Sequence, residues 1–413
     1  MGVSGSIAAI EVPRLARELI RHGAQVEVVM TPDAQNLLAP EAVRFATGKP
    51  PVTELTGDVE HIRLFGPGPG RADLLLLAPA TANTLSKVAL GIDDTPVTTC
   101  ASVALGARVP VLVAPAMHSD MLRNPFVLQN LERLKAEGVT FIPPVEEEGE
   151  SKLPGPEVLS AHVLHRLGTL PWRGRRVLVI GGSTSEPLDE VRSLTNEGSG
   201  RMALELAQQA FFRGAHVETW LGDLRVPIPS FLEARRFRTV GDLRELIREA
   251  RARLRHMDAI LVPAALSDFV PRARSGKIPS SQGSTLLVSL DRTEKILPLL
   301  RRAAPSPTLL ISFKLEAVPS GEELVARARA SLVENQCDMV VANPVATMGA
   351  EEAQVLLVRP EGKPHPYTGR KDRVAARLLE DIGQSLSPHE GTDPPAEAVP
   401  GPLRTGGSSP RSR

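Results

Sequence analysis

The stretch "RRVLVIGGSTSEPLDEVRSLTNEGSGRMALELAQQA", Arg175–Ala210, decides the fold of the second half of the chain. Val177–Ile180 is an unbroken aliphatic run, the pattern of a parallel strand buried on both faces. It stops at Gly181 and Gly182. A second glycine turn, Gly198–Ser199–Gly200, opens a helical pattern in which Met202, Leu204, Leu206 and Ala210 are apolar. Free N–H groups at a helix start suit phosphate. In a dinucleotide fold, however, the glycine loop follows its strand directly. Here it is displaced, with Arg192 and Asn196 standing just before it, which leaves its ligand open.

The same grammar extends in both directions. Downstream, "HVETWLG", "DAILVPAAL", "TLLISFKLE", "DMVVANP" and "VLLVRP" read as strands, separated in part by the helical "VGDLRELIREARARL" and "GEELVARARASLVEN". Upstream, "QVEVVM" (Gln25–Met30), "DLLLLAPA", "VPVLVAPAM" and "TFIPP" read as buried strands. Between them lie "PRLARELIRHG" and "NPFVLQNLERLKAEG", apolar at helical spacing and each stopped by glycine. Both halves therefore read as α/β. An N-terminal doubly wound parallel-sheet domain is expected over 1–170 and a C-terminal Rossmann-like domain over 173–386, meeting at "LHRLGTLPWRGRR". From about Ser387 the chain is rich in Pro, Gly, Ser and charge without periodicity, so 387–413 reads as a disordered tail.

The chain has 413 residues, more than one hydrophobic core usually covers. A formal net charge of +0 offers no basic surface for nucleic acid or an anionic membrane. Two cysteines, Cys100 and Cys337, argue against a disulfide framework and for a reducing compartment. No apolar run approaches the roughly 20 residues that span a bilayer, and "MGVSGS" does not open a signal peptide. The expectation is a cytoplasmic protein.

Three polar clusters, "GVSGSIA", "APATANTLSK" and "APAMHSDM", stand at strand ends, where ligands sit in doubly wound sheets. Singly, each reads as a loop with capping residues. Together, on successive strands, they favour a phosphorylated cofactor. One feature is odd. The loop Gly2–Ser6 has no strand before it, and a phosphate loop needs a sheet behind it, so the expected start of this domain lies upstream of Met1.

"GVSGSIAA", "MTPDA", "EHIRL", "APATANTLSKVALGIDD" and "PAMHSDM" resemble the flavin-dependent cysteine decarboxylases. "GGSTSEPLDEVRSLTNEGSGRMALELA", "PAALSDFVP", "GKIP" and "ANPV" resemble phosphopantothenate–cysteine ligase. In this order the chain is similar to the bifunctional decarboxylase–ligase family of coenzyme A biosynthesis. The resemblance implies ligation of 4′-phosphopantothenate with cysteine through an acyl-nucleotide, then FMN-dependent decarboxylation to 4′-phosphopantetheine. It implies Mg2+ and a nucleoside triphosphate, CTP or ATP, and a homo-oligomer with trimeric flavin-domain contacts.

By resemblance, the "TNEGSG" loop closes over the acyl-nucleotide, with Asn196 and Arg192 as its ligands. Gly181, Gly182, Ala264, Asp268, Lys277 and Phe313 match the nucleotide site. Gly5, Ser6, Thr31, Thr81, Asn83, Thr84 and Met117 match the FMN site. His61 matches the active-site histidine, and His118 stands where the bacterial "PAMN" has a substrate-binding asparagine. An imidazolium there could bind the same carboxylate. Without the resemblance, Asn196 reads as a helix cap, Lys277 as a loop lysine, Phe313 as core, and His61 and His118 as loop histidines. No metal ligands can be named.

Two departures stand out. Where the family carries two lysines on one helix, this chain has Ser331 and Asn335, with Lys314 and Arg327 nearby as substitutes. The flap that usually holds a reducing cysteine reads "VEEEGESKLPGPEVL", with Lys152 and no cysteine. Two other readings therefore stay open: a ligase with an inactive flavin-binding domain, and a non-catalytic flavoprotein subunit.

Overall fold

The protein is described by a computed structural model over residues 1–147, 150–279, 285–317, 320–345 and 350–387. The tail expected from 387 onward lies, apart from Ser387, outside the described residues.

The first half is a five-stranded sheet in the order Val29–Met30, Gly2–Val3, Leu75–Ala80, Val111–Pro115, Thr140–Phe141. Every neighbouring pair is parallel. Alternate residues feed opposite cores. Leu75 and Leu77 pack with Leu85, Val97 and Leu131 on one face. Leu76 and Ala78 pack with Leu15, Leu19 and Leu159 on the other. Both faces are covered by helices, so the strands show aliphatic runs rather than alternation.

The expectation that nothing backs the first loop is corrected. Gly2–Val3 is itself a strand, paired with Val29–Met30 on one side and with Leu77 on the other. Two residues suffice because their neighbours provide the ladder, but two residues are too few to show a pattern in sequence. The strands at "QVEVVM" and "TFIPP" are also shorter than read, with only Val29–Met30 and Thr140–Phe141 paired.

The second half is an eight-stranded sheet. Its order is Glu233–Arg236, His216–Leu221, Arg176–Gly181, Ala259–Val262, Leu309–Glu316, Met339–Pro344, Glu352–Val358, His365–Arg370. The first six are parallel and the last two antiparallel. "VLLVRP" therefore belongs to an antiparallel edge, not to the wound series. Helices Arg201–Phe212 and Lys371–Gly383 pack on one face through Leu206, Ala210, Leu378 and Leu379. Helices Val240–Glu249 and Gly321–Asn335 cover the other through Leu243, Ile247 and Leu332.

The halves meet at helix Pro156–Arg166, which packs against Arg201–Phe212. His165 stacks on Phe211 with ring centroids 4.3 Å apart, and its Nδ1 lies 3.0 Å from the Phe211 carbonyl. Trp172 is buried, and its indole N–H donates to the Leu379 carbonyl at 2.8 Å.

Candidate active sites

The loops at the carboxyl edge of the first sheet are tied together by hydroxyls. Ser4 is buried; its Oγ donates to the Pro79 carbonyl and accepts from Thr81 N–H, both at 2.8 Å. Ser6, Thr31 and Thr81 each cap a helix, accepting from Ala8, Ala34 and Thr84 N–H. Thr84 Oγ1 accepts from the Thr81 hydroxyl at 3.2 Å. Several helix starts thus converge on one edge, a setting that favours an anion. Gly5 allows the first loop to close onto the second, since a Cβ there would lie 2.4 Å from Asp33 Cβ. Asn83 is exposed, and among the described residues nothing pairs with its amide. Met117 is half-buried at the end of the Val111–Pro115 strand.

The two histidines differ. His61 lies on helix Glu60–Phe65, and its Nδ1 is buried without a partner. A buried ring nitrogen without a partner is costly, and no protein group among the described residues satisfies it. Its neighbour Glu60 accepts from the Thr56 hydroxyl and N–H, which hold its carboxyl down to about 2. His118 caps helix Ser119–Leu122, with Nδ1 accepting from Asp120 N–H at 3.2 Å. The same Nδ1 lies 3.6 Å from Asp120 Oδ2, so the cap bond and a contact with that carboxylate share one ring nitrogen. In the flap, Val145–Glu147 and Glu150–Lys152 pair antiparallel. Residues 148 and 149 lie outside the described residues.

In the second half, strand Arg176–Gly181 ends against helix Arg201–Phe212 so closely that a Cβ on Gly181 would lie 2.1 Å from Ala203 Cβ. Gly182 turns with φ +78°, and its carbonyl accepts from Ala265 N–H at 2.9 Å. Asn196 is not a helix cap. Its Nδ2 donates to the Ala265 and Leu266 carbonyls, tying its loop to the segment that contains Ala264 and Asp268. Gly200 occupies the cap position with φ +72°. Asp268 is exposed, with its carbonyl accepting from Thr293 N–H at 2.9 Å. Phe313 is half-buried against the core.

Arg192 and Lys277 are brought together. Arg192 Nη1 donates to Asp189 Oδ2 at 2.9 Å and to the Ile278 carbonyl at 3.2 Å, beside Lys277. Lys277 is exposed, and among the described residues its ammonium meets no acid. Sequence reasoning missed Asp189. Its side chain is fully buried and also accepts from Val191, Arg192 and Ile278 N–H, which hold its carboxyl down to about 2. The signal was an aspartate three residues before an arginine in "PLDEVR", a spacing suited to an Asx turn.

Ser331 and Asn335, the positions of the missing lysines, are buried and bonded to each other, Asn335 Nδ2 to Ser331 Oγ at 3.0 Å. Lys314 and Arg327 both pair with Glu316, each at 2.9 Å. Among the described residues, no group of three or more His, Cys, Asp or Glu could hold a metal ion. No described helix is long and apolar enough to cross a membrane.

Residues 1–168 match the Flavoprotein family, and residues 172–386 match the DNA/pantothenate metabolism flavoprotein C-terminal domain. The chain is 42% identical over 389 residues to the coenzyme A biosynthesis bifunctional protein CoaBC of Thermococcus kodakarensis, covering 94% of each. This chain belongs to the CoaBC family. The CoaBC of Methanocaldococcus jannaschii is 33% identical over 386 residues, 92% of each chain. Among solved structures, the DNA/pantothenate metabolism flavoprotein of Streptococcus pneumoniae is similar at 25% identity and a TM-score of 0.45. That match covers 51% of this chain and 99% of the other. Both sets of loops described above lie within the two family matches.

Proposed function

We propose that the chain carries out two consecutive reactions of coenzyme A biosynthesis. In the second domain, the carboxylate of 4′-phosphopantothenate attacks the α-phosphorus of CTP or ATP, and pyrophosphate leaves. The amine of cysteine then attacks the acyl carbon, and the nucleoside monophosphate leaves. The observation that carries this reading is the linkage of Arg192, Asn196 and the Lys277 segment around the end of strand Arg176–Gly181. Guanidinium and ammonium groups neutralise a triphosphate. Mg2+ would supply further positive charge against the triphosphate, alongside Lys277 and Arg192.

In the first domain the residues fit a flavin phosphate. The Gly5 approach to Asp33, the hydroxyl-capped helix starts and the unpartnered His61 Nδ1 support FMN there, held by Gly5, Ser6, Thr31, Thr81, Asn83, Thr84 and Met117. Bound FMN supplies reversible two-electron chemistry, which turns the cysteinyl carboxylate into a leaving group. His118 holds that carboxylate through Nε2–H, and His61 handles a proton. The family resemblance supports a homo-oligomer with trimeric flavin-domain contacts. The place of work is the cytoplasm.

A flap without cysteine favours a second reading, in which only the ligase step operates. A mass-spectrometric product assay with phosphopantothenate, cysteine and either CTP or ATP separates the two. Phosphopantetheine supports both reactions; phosphopantothenoylcysteine alone supports the ligase reading. Absence of both products with either nucleotide sinks the proposal.

A further inference from the structure

Lys277 lies on a segment that owes its course to two neighbouring acids. Gly276 turns with φ +74°, and its N–H donates to Glu190 Oε1 at 2.9 Å. Ile278 N–H donates to Asp189 Oδ2 at 3.0 Å. The two amides that flank Lys277 are therefore each gripped by one of two consecutive carboxylates. The same turn receives Arg274 N–H on the Leu188 carbonyl at 3.1 Å. It also holds Arg192, whose Nη1 spans Asp189 and the Ile278 carbonyl.

Two carboxylates beside a polyphosphate site are unfavourable unless their charge is matched. Asp189 is matched: its buried oxygens accept from Val191, Arg192 and Ile278 N–H and from the Arg192 guanidinium. Burying a carboxylate costs several kcal/mol before such partners compensate. What Asp189 and Glu190 add is a rigid link between the arginine before the "TNEGSG" loop and the lysine of "GKIP".

The geometry points to Asp189 and Glu190 as positioning residues of the ligase: a two-carboxylate clamp that aims Lys277 at the nucleotide phosphates and locks Arg192 in register with it. The inference rests on the ligase reading above. Neither acid touches substrate. Each acts through backbone amides and, for Asp189, through Arg192.

The test is a double-mutant cycle on pyrophosphate release by the full chain, with CTP and ATP titrated separately. The variants are Asp189→Asn, Glu190→Gln and Lys277→Gln, singly and in pairs. Asp189→Asn should raise the nucleotide KM by about ten- to a hundredfold, the size expected for a lost charge-assisted hydrogen bond. Glu190→Gln should do less, because Glu190 accepts a single backbone amide while Asp189 uses both oxygens, and the cysteine KM should not move in either. In the Lys277→Gln background, Glu190→Gln should add little, because its target is already gone, whereas Asp189→Asn should keep only the part that acts through Arg192. If Glu190→Gln multiplies with Lys277→Gln independently, or the effect of Asp189→Asn is undiminished in that background, or the cysteine KM moves with the nucleotide KM, the clamp is overturned and the ligase reading stands. If Lys277→Gln itself leaves the nucleotide KM unchanged, the assignment of Lys277 falls and the clamp falls with it. Folding is checked by the melting curve of each full-chain variant. A variant that melts early is replaced by Asp189→Glu, which keeps the charge but displaces it and should show the same KM split.

Discussion

Asn196 donates its side-chain amide to the carbonyls of Ala265 and Leu266, at 3.2 Å each. The bond ties the glycine loop before helix Arg201–Phe212 to the segment after strand Ala259–Val262. It also explains why an amide, and not an acid of the same shape, stands at this position.

Asn196→Asp should therefore harm the ligase twice. A carboxylate would face two carbonyl oxygens with no proton to offer, and it would repel an anionic acyl-nucleotide. Loss of one oriented donor in such a site costs about 10²–10³ in rate. The measurement is phosphopantothenoylcysteine formation by mass spectrometry. Near-normal synthesis would refute the role.

His118 holds its Nδ1 against Asp120, which leaves Nε2 as the ring nitrogen to meet a substrate carboxylate. His118→Asn should preserve decarboxylation, since an amide can both cap and donate. His118→Leu should cut it by about 10²-fold or more while leaving flavin absorbance and pyrophosphate release intact. Carbon dioxide release from purified phosphopantothenoylcysteine decides the matter; a fully active leucine variant removes His118 from the site.

Gly181→Ala should push helix Arg201–Phe212 off its strand, because the new Cβ would lie 2.1 Å from Ala203 Cβ. Overpacking of this kind costs about 1–3 kcal/mol. A lower melting temperature together with weaker nucleotide binding is expected. An unchanged melting curve would mean that the strand and helix part without cost.

The junction between the halves should weaken in mild acid. Burial lowers the pKa of His162 and His165 below the ordinary 6.5, with His216 and Arg166 adding repulsion at His165. The Phe211 carbonyl acts in the opposite sense on His165 and does not reverse the shift. A base lowered in the folded state binds more protons when unfolded. Stability is thus fully present above 6.5 and declines as pH falls through the folded values. Melting curves across pH 5 to 8 should show this slope, and His165→Phe should flatten it. A slope that survives in His162→Phe/His165→Phe would place its cause elsewhere.

The sequence by itself determined the α/β class, because strands covered on both faces need unbroken aliphatic runs such as Val177–Ile180 and Leu75–Ala78. It also marked the glycine loops and the polar clusters at the strand ends, where backbone freedom and hydroxyls leave local signatures. Not every strand was legible. Glu233–Arg236 is exposed at every position, so no hydrophobic pattern announces it. Gly2–Val3 is too short to carry a pattern at all. Only the tertiary structure decided how the site is held. Asp189 meets Ile278 across 89 residues of chain, and Asn196 meets Leu266 across 70. A hydrogen bond between distant segments imposes no period and no composition on either one. It exists only once two sheet-end loops are packed against each other, and that packing is set by Gly181, Ala203 and the shared core beneath them.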